Sequence, residues 1–132
     1  VFVVPDHALK QNSDQSDIGL NKEKNIFHIA LHFIVPLAVA LLFAGPKWRG
    51  AFLVLIATMI VDIDHIVADP IYDPMRCSIG FHPFHQHAFI VGYLLLTIPS
   101  KTRWVGIGLC IHMFLDSIDC YTNLGVWTTP AF

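Results

Sequence analysis

Charge is scarce in this chain: only 14% of its 132 residues are Asp, Glu, Lys or Arg, against about 25% in soluble domains. That scarcity excludes a disordered chain and a charged coiled coil. The basic surplus needed to grip a polyanion is missing too, because 8 Lys and Arg stand against 10 Asp and Glu. Nucleic acid is therefore not an expected partner. Cysteine is sparse and odd in number. Cys77, Cys110 and Cys120 contain no CxxC spacing, so neither a disulfide framework nor a zinc ribbon is expected. Cys110 and Cys120 read as small apolar packing residues. What abounds is apolar bulk, 55% of the chain with a mean hydropathy of +0.58. Of the 8 histidines, all but His7 lie from His28 to His112, within that apolar part.

Apolar runs cover roughly residues 26–44, 50–68, 84–98 and 104–121, the first ended by Gly45-Pro46 and the third by Pro99-Ser100. A hydrocarbon core of about 30 Å takes roughly 20 helical residues. The first two runs fit. The fourth fits if its polar residues are masked, and the third needs tilt or local thinning. A soluble bundle would carry polar stripes at helical period, whereas 35–44 and 51–61 hold only Thr58 as a polar side chain. The expected fold is all-α, a polytopic membrane protein built as a four-helix up-down bundle. Its expected organisation is a flexible polar leader (1–25), a membrane domain (26–126) and a short tail (127–132). Residues 1–4 are apolar, but the polar leader that follows lacks the pattern of a complete signal peptide.

The two short loops near 45–50 and 99–103 carry Lys47, Arg49, Lys101 and Arg103 and no acid. The positive-inside rule puts them in the cytoplasm of a bacterial inner membrane, with the opposite face extracytoplasmic. Lys22, Lys24 and Arg76 weaken that asymmetry. Trp48, Trp104 and Trp127 read as interfacial anchors.

Up-down threading brings the start of the first helix, the end of the second, the start of the third and the end of the fourth to one face. There lie His28 and His32; Asp62, Asp64 and His65; His82, His85 and His87; and His112, Asp116 and Asp119. The opposite face receives none. His28/His32 and His112/Asp116 are i,i+4 pairs, and Asp62/His65 is i,i+3. On an ideal α-helix Asp64 faces elsewhere unless the helix end unwinds. Asp69 and Asp73 precede prolines and read as turn formers. An Asp at mid-membrane costs roughly 2.5–3.5 kcal/mol, so four left unpaired at depth would cost on the order of 10 kcal/mol. No Lys or Arg inside the apolar runs can pair with them. Divalent cations would, and mixed imidazole and carboxylate ligands suit zinc first, then manganese or iron.

These residues also carry a resemblance. Asp62-Ile63-Asp64-His65, then His82 with His87, then His112 with Asp116 resemble the D-x-D-H, H-x4-H and H-x3-D motifs of the YdjM-like bacterial membrane-bound metal-dependent hydrolases. Leu31-His32-Phe33 and the C-S-I-G-F-H-P run at 77–83 resemble, more closely, a small uncharacterised bacterial membrane family. The resemblance spans about 26–121. Where the larger family typically has H-R-G-x-T-H, this chain has His82-Pro83-Phe84-His85-Gln86-His87, so its substrate contacts are expected to differ.

The leading expectation is a membrane-embedded hydrolase with two or more divalent metals, acting on a phosphoester or a lipid-linked substrate. Its metal ligands are expected to be His28, His32, Asp62, Asp64, His65, His82, His87, His112 and Asp116. His85 or Asp119 is expected to serve as general base or as an orienter of the ligands. Two alternatives stay open. A membrane di-iron oxygenase would use histidine boxes such as His28/His32 and His82/His85/His87, although such sites hold few aspartates. A non-enzymatic metal-binding membrane protein is the other. The lipid bilayer is the expected partner, and a homodimer is allowed where four short helices do not seal the site alone.

Overall fold

The computed structural model describes residues 6–71, 73 and 75–129, with side chains from residue 17 onward. Four α-helices form: α1 (Asp6–Phe43), α2 (Trp48–Ala57), α3 (His87–Leu96) and α4 (Arg103–Leu124). Among the described residues there is no strand. Helix α1 begins at Asp6, well before the boundary expected near residue 26. Leu20, Lys22, Glu23 and Lys24 are good helix formers, so a helix nucleated in the apolar run extends backward with little opposition. It also runs through Pro36.

Helix α4 is the hub. It packs against α1, α2 and α3, while α1 also packs on α2. Close approach is bought by glycine on α4: a Cβ on Gly106 would lie 2.6 Å from the Thr97 nitrogen, and one on Gly108 would lie 2.5 Å from Thr58 Oγ1. Such small-residue contacts suit helices that pack without a hydrophobic driving force. Gly125, at φ +71°, ends α4 in the left-handed conformation that glycine adopts without strain.

The second apolar run changes winding halfway. After α2 the chain continues as a 3₁₀ helix over Thr58–Val67, longer than the three or four residues usual for that form. Thr58 Oγ1 donates to the Leu55 carbonyl at 2.6 Å, and β-branched Ile60, Val61 and Ile63 resist α winding. At three residues per turn, positions i, i+3 and i+6 eclipse. Thr58, Val61 and Asp64 are accordingly the buried residues of this segment. The helix end tightens where unwinding was the expected route, and the tighter winding turns Asp64 inward.

Between this segment and α3, the described residues of 68–86 form a folded loop with a short 3₁₀ turn, Pro83–His85. Asp73 Oδ1 accepts from the Met75 amide at 2.9 Å, the expected turn-forming role. Cys77 and Cys120 form a disulfide, with Cα atoms 5.0 Å apart and a sequence separation of 43. This corrects the expectation of no disulfide and of Cys120 as a packing residue. No local spacing encodes it, because only the return of the loop onto α4 brings the two thiols together. Cys110 is the free cysteine. The tail packs as well: Thr129 N–H donates to the Ile79 carbonyl at 3.0 Å, and Trp127 stacks on Tyr121 at 4.4 Å.

Large apolar side chains face outward, among them Leu42, Leu53, Ile60 and Val67, each more than two-thirds exposed. The buried set includes His32, Asp64, His82, His85, His112 and Asp116. Two helical stretches, Asp17–Phe43 and Gly45–Val67, are long and apolar enough to cross a membrane.

Candidate metal centre

Three groups of ligating side chains converge at one end of the bundle: Asp62, His85, His112 and Asp116; His28, His32 and Asp116; and Asp64, His65 and His85. Within each group one donor atom per residue lies within 4.8 Å of the others. Asp116 belongs to two groups through different oxygens. Its Oδ1 lies 3.2 Å from His28 Nε2 and 3.4 Å from His32 Nε2. Its Oδ2 lies 3.1 Å from His85 Nε2 and 3.5 Å from His112 Nε2. A carboxylate placed this way can bridge two cations.

Orientation separates this cluster from an ordinary polar network. His32 Nδ1 lies 3.0 Å from the His28 carbonyl, which can only accept, so Nδ1 carries the proton and Nε2 keeps its lone pair. His32 Nε2 and His85 Nε2, both close to Asp116, are buried without a hydrogen-bond partner, whereas His112 faces the cluster with Nε2 and its unpartnered nitrogen is Nδ1. Orphaned buried polar atoms are costly and rare. His85 Nε2 is close to Asp116 yet not aligned for a hydrogen bond, as expected when two donors aim at a shared cation position. The donor set thus fits divalent metal ions.

His85 sits at the centre, fully buried. Its Nδ1–H donates to Asp64 Oδ2 at 3.1 Å, and the same oxygen accepts the Phe84 amide at 2.7 Å. That carboxylate–imidazole pair fixes the ring and directs Nε2 into the cluster, the arrangement that tunes metal-bound histidines. Burial disfavours charge on His85, but the carboxylates of Asp116 and Asp62, 3.1 and 3.4 Å from its Nε2, outweigh it and raise its pKa to about 10. In the metal-free chain this imidazole therefore holds a proton that a cation would displace.

The other residues singled out in the sequence occupy varied places. Asp62 Oδ1 lies 3.0 Å from His112 Nε2 and 3.4 Å from His65 Nδ1. His65 also reaches Asp64 Oδ1 at 3.1 Å and Ser78 Oγ at 3.3 Å. His82 stacks on His65, centroids 3.7 Å apart, and belongs to none of the converging groups. Burial, with the neighbouring His65, lowers its pKa to about 4. Asp119 stands at the rim, 3.8 Å from His28 Nδ1. His87 lies apart: its Nε2 meets Thr128 Oγ1 at 3.0 Å, and its ring lines a separate apolar cavity with Ile90, Met113 and Trp127. Within the 82–87 run it is His85, expected to be a base or orienter, that enters the cluster, because the Pro83–His85 turn points it inward while His87 opens α3.

A cavity of about 380 Å³ opens on this cluster, lined by His28, Asp62, His65 and Asp116 together with Arg76 and Ser78.

The fold and site define an all-helical protein with two helices apolar enough to cross a membrane and buried His/Asp groups able to hold metal ions. The chain belongs to DUF6122, a family of unknown function, whose family model matches residues 23–123. No curated protein and no solved structure matches it.

Proposed function

We propose that this protein is a four-span membrane hydrolase, dependent on two or more divalent metal ions, acting on a phosphoester or lipid-linked substrate. The observation that carries the reading is the two-sided engagement of Asp116, with Oδ1 toward His28 and His32 and Oδ2 toward His85 and His112. A bridging carboxylate between two imidazole sets suits the two-metal clamp used on phosphoryl and acyl centres. The set on Oδ1 is His28 and His32; the set on Oδ2 is His85, His112 and Asp62. Divalent ions there would supply a water of lowered pKa and neutralise charge developing on the substrate oxygen.

The chain's own residues do the rest. Asp64 orients His85, and Ser78 holds the far nitrogen of His65. Asp62, with its side chain 41% exposed, faces the cavity where substrate would enter. The outward aliphatic surface and inward carboxylates support the bilayer as surroundings. Helix α4, with 22 residues, reaches about 33 Å, whereas the ten residues of α3 reach about 15 Å and need their flanking turns to complete a crossing. A bacterial inner membrane with the cluster extracytoplasmic is supported by the disulfide at that end and the basic loops at the other.

The test is elemental analysis of detergent-purified protein, beside a screen of phosphomonoesters, phosphodiesters and carboxylic esters. About two zinc or manganese ions per chain are expected, with hydrolysis of a phosphoester, and Asp116→Asn should lose both. Iron with oxygen-dependent turnover would replace the reading by a di-iron oxygenase. Bound metal without any turnover would replace it by a metal-holding role. Absence of bound metal at neutral pH would end it.

A further inference from the structure

The cavity beside the cluster has one feature the metal groups do not explain. Among its lining residues Arg76 is the sole Lys or Arg. Its Nη2 donates to the carbonyls of Pro70 at 2.7 Å and Ile71 at 3.1 Å, and its guanidinium lies over the Phe81 ring at 4.8 Å. Both of those hydrogen bonds leave from Nη2, so among the described contacts the Nε and Nη1 donors remain, each able to give a single hydrogen bond to a ligand. No ion pair among the described residues involves Arg76. Its anchors are neutral carbonyls and a ring, which hold the group in place and leave its charge uncompensated. The adjacent Cys77, bonded to Cys120 on α4, ties this stretch of loop to the helix that carries Asp116.

A cation held in place with unused N–H donors suits an oxyanion, through its charge and through charge-assisted hydrogen bonds to single oxygens. The same cavity is lined by Asp62, Asp73, Asp116 and Asp119, which repel an anion as long as they are unneutralised. Two divalent cations on the cluster would cancel those four negative charges and leave the positive charge of Arg76 to act on the anion. We infer that Arg76 is the residue that recognises the phosphate group of the ligand, holding it in the cavity that the metal centre also lines, so that anion binding depends on prior metal binding. The inference rests on the metal centre proposed above. A volume of about 380 Å³ admits a phosphate with a small attached group, within the range of ligand pockets. The phosphate can arrive free in solution or on a lipid headgroup, and the two share this chemistry.

The experiment is calorimetric titration of orthophosphate, and separately of dihexanoyl phosphatidic acid, into full-length protein in detergent, zinc-loaded and metal-free. Melting temperature and zinc content are followed alongside. Zinc-loaded protein should bind orthophosphate and rise in melting temperature, and metal-free protein should do neither. Arg76→Ala should weaken phosphate binding at least tenfold with zinc content unchanged. Arg76→Lys, which keeps the charge and loses the planar group held by Pro70, Ile71 and Phe81, should fall between. Lys101→Ala, in the loop at the other end of the bundle, should match the parent. Tighter binding of the lipid by tenfold or more assigns the site to a headgroup; equal binding assigns it to free phosphate. If zinc binds but Arg76→Ala and Arg76→Lys hold phosphate as the parent does, the role of Arg76 falls and the metal centre stands. Equal phosphate binding without zinc likewise overturns the inference alone. If the parent takes up no zinc, both readings fall together.

Discussion

Asp64 and His85, 21 residues apart in sequence, meet through Asp64 Oδ2 and His85 Nδ1 at 3.1 Å, and both side chains are almost completely buried. This contact sets the direction of the imidazole nitrogen at the centre of the cluster. Removing it should leave His85 free to rotate. Asp64→Asn and Asp64→Ala are expected to lower metal affinity about 10–100-fold, the usual cost of losing such a supporting carboxylate. Competition with a zinc chelator measures this. Unchanged affinity in both variants would show that Asp64 does not position the ligand.

His87 and His85 are separated by one residue and should behave oppositely. His87→Ala removes a ring bonded to Thr128 and lying against an apolar cavity, so metal stoichiometry is expected to stay at the parent value. His85→Ala removes a member of two converging groups, and at least one ion should be lost. Elemental analysis of the two variants side by side decides it. Loss of metal from His87→Ala would restore that residue to the ligand set.

The disulfide predicts both a labelling pattern and a stability difference. A maleimide reagent applied to denatured, unreduced protein should modify Cys110 alone, and after reduction it should modify all three cysteines. Joint replacement Cys77→Ser/Cys120→Ser should cost roughly 2–4 kcal/mol, because the crosslink closes a long loop in the unfolded chain. Denaturant titration of the reduced and oxidised protein supplies the comparison. Three reactive thiols without reduction would contradict the pairing.

Acid should act through His82. Its pKa in the folded chain is about 4, against an ordinary 6.5, since burial and the stacked His65 both disfavour the imidazolium. Between these values the unfolded chain binds a proton that the folded chain does not, so stability falls as pH drops from about 6.5 toward 4. A cation on the cluster would push in the same direction. Melting temperature followed across that window should decline less steeply in His82→Gln than in the parent. Identical slopes would remove His82 from the acid response.

Much of the architecture was legible in the residues alone. The apolar runs are all-round hydrophobic, and that property is local, so it marks the helices without knowledge of their neighbours, although it misses the start of α1 at Asp6. The gathering of His28, His32, Asp62, His112 and Asp116 at one end was legible too, since up-down threading of short-looped helices fixes which termini meet. What lay beyond reach depends on winding and on loop return. Asp64 faces inward because Thr58–Val67 tightens to three residues per turn, a choice made by Thr58 bonding to its own helix and by packing against α4. The Cys77–Cys120 bond, and the selection of His85 over His87, follow from how the 68–86 segment folds back. Side-chain type and helical period are written in sequence order, whereas the direction of a loop is set by contacts between residues far apart in the chain, and these exist only once the helices have packed.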